Sequence, residues 1–324
     1  MALLTVFTPT YNRRHTIART YASLCRQTCK DFEWLIIDDG STDGTREWVE
    51  SLGTKCVSKG RRFDWMGRTA EGEDENHFTI DLPDFRLTYI HKPNGGLYTG
   101  YNVAYATIQT ELCVCIDSDD FMPDDAVERI CELWREKGSD KYCGIIGLDI
   151  DVTTGVPIGG YFPDGMTETY RSDLFVRHIH EGDSKEVMRT ELMRKVAPQV
   201  GFEGEKNFNP SYMLSQVWDE YPLLVMNYNL CNVEYQIGMD SMSQGIYRQY
   251  VNSPRSYAKH RILQMRMRRY PYWLKFKSAA HYISSCILAQ DRDWLTNSPM
   301  KFTTLLAIPM GLIIYTIIRL KTRK

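Results

Sequence analysis

Two hydrophobic periods alternate along the chain from Leu3 to Lys137. Short apolar runs bounded by turn residues predict buried strands, and longer segments with apolar residues every three to four positions predict helices. Strands separated by single helices indicate a parallel sheet with right-handed crossovers. The predicted strands are Leu3–Thr8, Trp34–Asp38, Leu87–Ile90 and Leu112–Ile116, and the predicted helices are Arg14–Thr28, Asp43–Leu52, Tyr98–Gln109 and Asp124–Lys137.

The pattern changes twice in the rest of the chain. Residues 55–85 are polar and rich in turn residues, which predicts a surface insertion between the second and third strands. After residue 142 only Cys143–Ile150 and Leu223–Tyr228 have strand character, and helical periodicity returns from Gln244 to about Gln290. We therefore predict an α/β domain over 1–240 (halves 1–130 and 131–240), a basic aromatic helical region over 241–300 and a hydrophobic tail over 301–324.

Composition agrees with a folded protein. The 324 residues are 43% hydrophobic and 25% charged, enough for one large or two small domains with a core. None of the nine cysteines forms a C-x-x-C pair, and Cys113 and Cys115 lie inside a predicted strand. These features predict reduced, buried thiols and a cytoplasmic setting.

The net charge of −2 conceals a strongly basic C-terminal region. Residues 241–324 contain 15 Lys and Arg but only two acids, Asp291 and Asp293, and the cations alternate with tyrosines and other aromatic residues. Within this region, Phe302 to Ile318 is uncharged and is interrupted by Pro309 and Gly311. The mixture predicts contact with an anionic membrane surface, and leaves open a crossing helix, a segment lying in the membrane plane, or a buried core helix.

An acidic cluster follows the fourth predicted strand, where the apolar run ends in Asp117-Ser118-Asp119-Asp120. Carboxylates placed so close together raise one another's pKa unless a metal ion or basic groups compensate. Hard oxygen ligands of this kind suit Mg²⁺ or Mn²⁺, so the cluster predicts a divalent-cation site able to hold a diphosphate. The alternative is an ordinary strand end followed by a helix cap.

Two further loops have both structural and functional interpretations. Asp38–Thr45 contains two glycines and three helix-capping side chains, so it reads equally as a turn or as part of a site. Lys92-Pro93-Asn94-Gly95-Gly96 precedes a predicted helix and reads either as a tight loop or as a flexible loop that approaches phosphate or sugar. Neither loop decides the function alone.

Taken in order, these motifs resemble those of the family-2 glycosyltransferases, over roughly residues 1–130. The resemblance rests on Thr8–Arg14, Asp38–Thr45, Lys92–Gly96, Asn102 and Asp117–Asp120. It implies a GT-A (nucleotide-diphospho-sugar transferase) fold, with a mainly parallel Rossmann-like sheet, helices on both faces and a helical, membrane-associated C-terminal extension. It also implies an inverting, metal-dependent hexosyl- or N-acetylhexosaminyl-transferase that uses a nucleotide-sugar, most simply a UDP-sugar.

The resemblance assigns expected roles to individual residues. Asp117 and Asp119 would form the D-x-D motif that binds Mg²⁺ or Mn²⁺ and the diphosphate. A tyrosine face can stack on uracil, and a carboxylate can accept its N–H. The residues expected to bind the nucleotide-sugar are Thr8, Pro9, Tyr11, Arg13, Asp39, Asn94, Gly95, Gly96, Asn102, Asp117 and Ser118.

An inverting transfer also needs a general base, which the family places near a helix start some way past the D-x-D. The segment Phe202–Pro210 fits that place and resembles the G-E-K segment of polysaccharide-synthesising members. Glu205 is the expected base and Glu203 its alternative, although Glu205 also reads as an acid that stabilises a helix N-terminus. The family's usual E-D pair is absent, as is the Q-x-x-R-W motif of processive synthases.

The expected biology is the synthesis of bacterial surface polysaccharide. The acceptor would be a saccharide or a polyprenyl-phosphate-linked saccharide at the inner face of the cytoplasmic membrane, where the C-terminal segment would hold the enzyme peripherally or as an anchor. A nucleotidyltransferase and a non-catalytic nucleotide-sugar-binding protein are the alternatives. Nucleic-acid binding by the basic region is disfavoured because the uncharged run adjoins it.

Overall fold

The computed structural model describes residues 2–57, 61–73, 77–234 and 245–322. Within these ranges the chain divides into two compact units. The first contains residues up to 198 together with 220–234, and the second contains 199–219 and the residues from 245 onward. The boundary expected at residue 240 lies outside the described residues, but 199–219, which we placed in the first domain, groups with the C-terminal helices.

The first unit is built on a ten-stranded sheet with the order β10-β12-β9-β11-β8-β1-β2-β7-β6-β3, beside which β4 and β5 form a separate hairpin. The apolar runs of the sequence form its central strands, where nearly every side chain is buried. The strands are β1 (Leu4–Thr10), β2 (Phe32–Asp38), β3 (Lys55–Val57), β4 (Arg61–Phe63), β5 (Thr69–Glu73), β6 (His77–Asp81), β7 (Arg86–His91), β8 (Leu112–Cys115), β9 (Gly144–Asp151), β10 (Glu168–Thr169), β11 (Ser184–Arg189) and β12 (Leu223–Val233).

Helices of this unit follow the predicted order. The first and fourth are amphipathic and bury one face in the core, as Val127, Ile130 and Trp134 do on the fourth helix, whereas the third is buried on most sides. The helices are α1 (Ile17–Cys25), α2 (Thr45–Glu50), α3 (Leu97–Thr107), α4 (Ala126–Lys137), α5 (Arg171–Val176) and α6 (Thr190–Val196).

The expectation of a mainly parallel sheet is correct only for its centre. Strands β8, β1, β2 and β7 are neighbours and parallel, as the alternating strands and helices predicted. On one side β11 inserts antiparallel between β8 and β9, and on the other β6 and β3 extend the sheet antiparallel. The sheet is therefore mixed. Residues 82–85 join β6 to β7, and so short a connection allows only antiparallel pairing, whereas β11 reaches its antiparallel position through the longer segment 152–183.

The insertion over 55–85 contributes more structure than the polar composition suggested. Its strands β3 and β6 join the sheet edge, where Phe78 and Ile80 are buried in the core. Alternation on β6 buries Phe78 and Ile80 and leaves Asp81 exposed, a short period-two signal that the surrounding polar residues mask.

The second unit is helical. Its core forms where α9, α10 and α13 pack together around small and aromatic residues such as Ala279, Ala280 and Tyr282. Among the residues that the structure describes, no helix combines the length and the apolar character that a membrane crossing requires. The helices are α7 (Ser211–Trp218), α8 (Ile246–Asn252), α9 (Pro254–Arg266), α10 (Tyr272–Ala289), α11 (Trp294–Asn297), α12 (Lys301–Leu306) and α13 (Ile308–Thr322).

Acid should destabilise the second unit through His260. Its ring is 8% exposed, its Nε2 atom has no hydrogen-bond partner among the described residues, and burial, aided by Arg261, lowers its pKa to about 3. Between the unfolded value of about 6.5 and the folded value, only the unfolded chain takes up the proton, so stability falls as pH falls, by about 1.4 kcal/mol per pH unit. Urea unfolding across that window should show the slope.

The His260→Gln variant provides the comparison, because it removes this titration from the unfolded and the folded chain alike. A residual slope is expected from His281, whose pKa burial lowers to about 4. An unchanged slope in the variant would contradict the assignment to His260.

Candidate functional site

The predicted nucleotide-sugar residues lie at the carboxyl ends of four neighbouring parallel strands. Thr8 and Pro9 belong to β1, Asp39 follows β2, the Lys92–Gly96 loop follows β7, and Asp117 lies just beyond β8. Since neighbouring strands are about 4.8 Å apart, the ends of β8 and β2 are separated by only about 10 Å. This edge of a parallel sheet is where α/β folds bind ligands.

Asp39 anchors the loop that follows β7. Its carboxylate accepts the N–H groups of Gly95 (2.9 Å) and Gly96 (2.8 Å), and the Asn94 side-chain amide donates to it (3.2 Å). The buried Lys92 ammonium pairs with the same carboxylate. Both oxygens are thus engaged within the protein, and Asp39 holds the Lys92–Gly96 loop in place. The contact with the nucleoside that the resemblance implies for Asp39 stays a prediction.

Gly95 permits a close approach between this loop and the insertion. A Cβ atom at Gly95 would lie 1.8 Å from the Trp65 carbonyl oxygen, and Gly96 has a positive φ of 96°. Asn102, on α3, donates to the Met66 carbonyl oxygen at 2.9 Å. The insertion is therefore held against the loop and the start of α3, and Asn102 contributes to that contact.

We predict that Gly95→Ala weakens nucleotide-sugar binding and lowers stability. The new methyl group must displace Trp65 or the loop, and such overpacking costs about 1–3 kcal/mol. Thermal unfolding with and without UDP measures both effects. Gly155→Ala is the control: its Cβ would meet nothing within 4 Å, although its φ of 71° adds a backbone strain that Gly95 does not have. Equal behaviour of the two variants would contradict the steric explanation.

A second network links the loop after β1 to the loop after β2. The Asn12 N–H donates to the Ser41 hydroxyl (2.8 Å), and the Thr42 N–H donates to the Asn12 side chain (2.9 Å). The Asp38 carboxylate accepts hydrogen bonds from the Ser41 N–H and the Tyr89 hydroxyl, so it stabilises the turn that follows β2. These bonds fix the loop that carries Tyr11, whose ring is 50% exposed.

The remaining predicted residues at the end of β1 are less open. Thr8 is buried and accepts the Trp34 indole N–H at 3.0 Å, and Pro9 is buried in the strand. Arg13 is half-buried, and its carbonyl oxygen accepts the N–H groups that begin α1. Tyr11 is therefore the side chain of this segment that presents a free face.

The acidic cluster after β8 separates into Asp117 and Asp119, described first, and the inward-facing Asp120. Asp117 is exposed and contacts only the Cys115 thiol, at 3.7 Å, and Asp119 is half-buried with no hydrogen bond or ion pair to its carboxylate among the described residues. The backbone carbonyl of Asp119 is held by Arg19 of α1. Ser118 between them is buried. Within the described residues, the Asp117 carboxylate thus meets only a weak thiol donor and that of Asp119 has no hydrogen bond, so neither forms an ion pair.

Asp120 faces the interior, where Lys185 partly compensates it. The Lys185 ammonium lies 4.0 Å from Asp120 and 3.6 Å from Asp149. Burial raises the pKa of Asp120 to about 8 and that of Asp149 to about 6, although Lys185 opposes both shifts. Burial alone would lower the pKa of Lys185, but Asp149, Cys231 and Asp120 raise it well above its usual value.

Sequence reasoning missed Lys185 and Asp149, and left Asp120 as a doubtful member of the site. Lys185 lies on β11, a strand without an apolar run, which the sequence did not predict. Asp149 was visible as the one acid within the buried part of Cys143–Ile150. A buried acid in a central strand implies a cationic partner, which was the available signal.

The residues at this edge fit a divalent cation that is shared with a ligand. Within the described ranges no three His, Cys, Asp or Glu side chains are grouped closely enough to hold a metal ion alone. Asp117 and Asp119 supply hard oxygen donors that form no ion pair among the described residues, and water and a diphosphate would complete the coordination.

The expected base, Glu205, has a structural partner in the second unit. Its buried carboxylate accepts the N–H groups of Arg255 (3.1 Å) and Ser256 (2.8 Å) at the start of α9, and the Arg255 guanidinium donates to it at 2.9 Å. Glu205 therefore caps α9, and no helix begins at Glu205 itself. Glu203 is exposed, and its carboxylate has no hydrogen bond or ion pair among the described residues.

The family model described as glycosyl transferase family 2 matches residues 5–68 and 75–189, which is more than half of the chain. The chain belongs to this family. The matched ranges include the loops after β1, β2, β7 and β8, and end at the last residue of β11.

Curated relatives are bacterial glycosyltransferases. The chain is 29% identical to the chondroitin synthase of Pasteurella multocida over 39% of its own length and 10% of that protein. It is 26% identical to TuaG of Bacillus subtilis, a putative teichuronic acid biosynthesis glycosyltransferase, over 51% of its length and 55% of that protein. Each match thus covers only part of the relative.

Solved structures confirm the GT-A-like fold. Residues 1–349 of S. aureus TarS match with a TM-score of 0.55 at 16% identity, covering 100% of this chain and 91% of that one. A TarS structure in complex with UDP-GlcNAc matches with a TM-score of 0.54 at 15% identity, covering 100% and 92%.

Proposed function

We propose that this protein transfers a sugar from a UDP-sugar to a saccharide or lipid-linked saccharide acceptor, with inversion, in bacterial surface polysaccharide synthesis. One observation carries the proposal: among the described residues, Asp117 and Asp119 present carboxylates without an ion pair at the same sheet edge as Tyr11 and the Lys92–Gly96 loop, which Asp39 anchors. Family membership supports the reaction class. TarS, which has been solved with UDP and with UDP-GlcNAc, supports the choice of donor.

In this mechanism the loops bind and orient the donor. Tyr11 offers a ring face to the base, while the Lys92–Gly96 loop, fixed by Asp39, lines the sugar side. Lys185 partly neutralises Asp120 and Asp149 inside the sheet, so the outward negative charge is concentrated on Asp117 and Asp119. Holding the donor in one orientation supplies part of the rate enhancement.

Asp117 and Asp119 would hold Mg²⁺ or Mn²⁺, and this cation would stabilise the negative charge of the departing diphosphate. The proposal therefore includes metal dependence.

For the general base we propose Glu203 or Glu205. The sequence predicts Glu205, with Glu203 as the alternative. Glu203 has the free carboxylate, whereas both oxygens of Glu205 are bonded to α9. The base would remove the proton of the acceptor hydroxyl as its oxygen attacks the anomeric carbon opposite the leaving group. The free carboxylate favours Glu203, with Glu205 fixing the segment that carries it.

We predict that Glu203→Gln and Glu205→Gln act differently. Loss of a general base lowers kcat by about 10²–10⁴-fold, so Glu203→Gln should reduce turnover and leave urea unfolding unchanged. Glu205→Gln removes the negative charge from the capping contact and should lower stability by about 0.5–2 kcal/mol. Normal turnover in Glu203→Gln together with inactive, fully stable Glu205→Gln would assign the base to Glu205.

A donor screen tests the proposal as a whole. Purified protein, Mn²⁺ and acceptor-containing extracts should release UDP from one UDP-sugar, and the donor should raise the unfolding temperature. The product should carry the anomeric configuration opposite to that of the donor. Pyrophosphate release from a nucleoside triphosphate would instead indicate a nucleotidyltransferase, and tight UDP-sugar binding without turnover a non-catalytic binding protein.

A further inference from the structure

Helices α12 and α13 present an apolar face to solvent. The large apolar side chains of this face are between 44% and 73% exposed. Most large apolar residues elsewhere in the described chain are buried. Such a contiguous exposed patch marks an interaction surface. We call it the outer face, and its residues are Phe302, Leu305, Leu306, Met310, Leu312, Ile313, Ile317 and Leu320.

The opposite face of the same helices is smaller and more polar. Thr303, Thr304 and Ala307 are buried there, and Ser298 and Thr304 share a hydrogen bond of 2.6 Å. A Cβ atom at Gly311 would lie 2.7 Å from Ile283 of α10, so α13 approaches α10 very closely. The packing thus selects the small residues for the interior and leaves the large ones outside.

Charged and aromatic groups border the outer face. Lys301 lies at the start of α12, Arg319 and Lys321 lie in the last turns of α13, and all three are exposed. The Tyr272 hydroxyl lies 3.2 Å from the hydroxyl of Thr303 on the buried side of α12, so Tyr272, itself exposed, lies beside that helix. An apolar face with cations at its ends is typical of a helix lying in a lipid interface.

We propose that the outer face inserts into an anionic lipid surface, with α12 and α13 lying in the plane of the membrane. This proposal goes beyond the sugar-transfer reaction and does not depend on it. One side of α13 is packed against α10, so lipid can contact only the other side. Cations at both ends of the segment match headgroups along its length.

Charge also distinguishes a membrane from a second copy of the chain. From residue 245 to 322, thirteen Lys and Arg face only two acids, Asp291 and Asp293. Two such surfaces pressed together would repel each other, whereas anionic lipid would complement them. The occupant that fits the outer face is therefore a lipid bilayer that contains anionic headgroups.

The test compares vesicle binding of the full chain with that of a double variant, Leu306→Gln with Ile313→Gln. Both side chains are exposed, so the variant should fold normally. Sedimentation with phosphatidylcholine vesicles that contain phosphatidylglycerol should show strong binding by the parent chain. Because each side chain leaves the apolar phase, the variant should bind at least about tenfold more weakly. Val156→Gln, which removes an exposed apolar side chain of the first unit outside the outer face, is the matched control and should bind like the parent.

Three results would overturn the proposal. The first is a parent chain that sediments with neither neutral nor anionic vesicles, and the second is a double variant that binds as well as the parent. Alternatively, light scattering without lipid could show a dimer that the double variant abolishes, which would assign the outer face to a second copy. The proposal expects a lipid-free monomer, and vesicle binding that weakens with added salt because the cationic contribution is screened.

Discussion

Asp119→Asn should abolish sugar transfer while leaving the fold intact. The substitution keeps the side-chain shape but removes the negative charge of one of the two carboxylates proposed to hold the divalent cation beyond β8. The cation loses a charged ligand, and the diphosphate is then held less tightly through the cation. Removing a group that stabilises transition-state charge typically costs about 10²–10³-fold in kcat, and loss of the metal would cost more. UDP release at increasing Mn²⁺ concentration measures the effect.

The control is Asp164→Asn, which removes the same charge at an exposed position of the first unit where the carboxylate has no hydrogen bond or ion pair among the described residues. It should retain parent activity. The Asp119→Asn protein should unfold at the parent temperature without ligand but should lose the stabilisation that UDP and Mn²⁺ confer together. Full metal-dependent transfer by Asp119→Asn would refute the central assignment.

Among single substitutions at the site, we expect Lys92→Met to lower the free energy of unfolding the most. The Lys92 side chain is fully buried and pairs with the nearly buried Asp39 carboxylate. Removal of one partner of a buried pair leaves an uncompensated charge and typically costs about 3–5 kcal/mol. The free energy of unfolding in urea should fall by this amount, and UDP-sugar binding should weaken because Asp39 also holds the Asn94–Gly96 loop.

Lys137→Met is the matched control for this change. Its ammonium is half-exposed and lies 3.7 Å from Glu136, an exposed contact worth at most about 1 kcal/mol. The double variant Lys92→Met with Asp39→Asn should recover part of the lost stability, because it removes the buried charge. The buried-charge explanation would fail if the two substitutions lowered the free energy of unfolding additively, so that the double variant was less stable than Lys92→Met by the whole effect of Asp39→Asn alone.

The two site predictions concern different functions of carboxylates at one sheet edge. The Asp39 carboxylate accepts backbone N–H groups and pairs with a buried lysine, whereas Asp117 and Asp119 have no comparable partners among the described residues. The resemblance implies a ligand contact for all three carboxylates, and these contacts stay predictions. The hydrogen-bond partners add that Asp39 also positions a loop.

Local elements were predictable where one physical signal dominated. The apolar runs at β1, β2, β7 and β8 form the strands expected, since a run of four to seven buried residues has few alternatives in an α/β chain. Helix α1 is shorter than predicted, Ile17–Cys25 against Arg14–Thr28, because its flanking residues form turns. Strand β11 escaped prediction because its alternation includes Lys185 and Glu186.

By itself, the sequence determined the central parallel strands, the acids at their carboxyl ends and the family resemblance. These features depend on hydrophobic period and on residue order, both of which are local. The tertiary structure decided which carboxylate each cation meets, that β11 brings Lys185 to Asp120 and Asp149, that Glu205 caps α9, and which side of α12 and α13 faces outward. Those outcomes depend on contacts between residues far apart in the chain, where burial and hydrogen-bond satisfaction choose among partners that composition leaves equivalent.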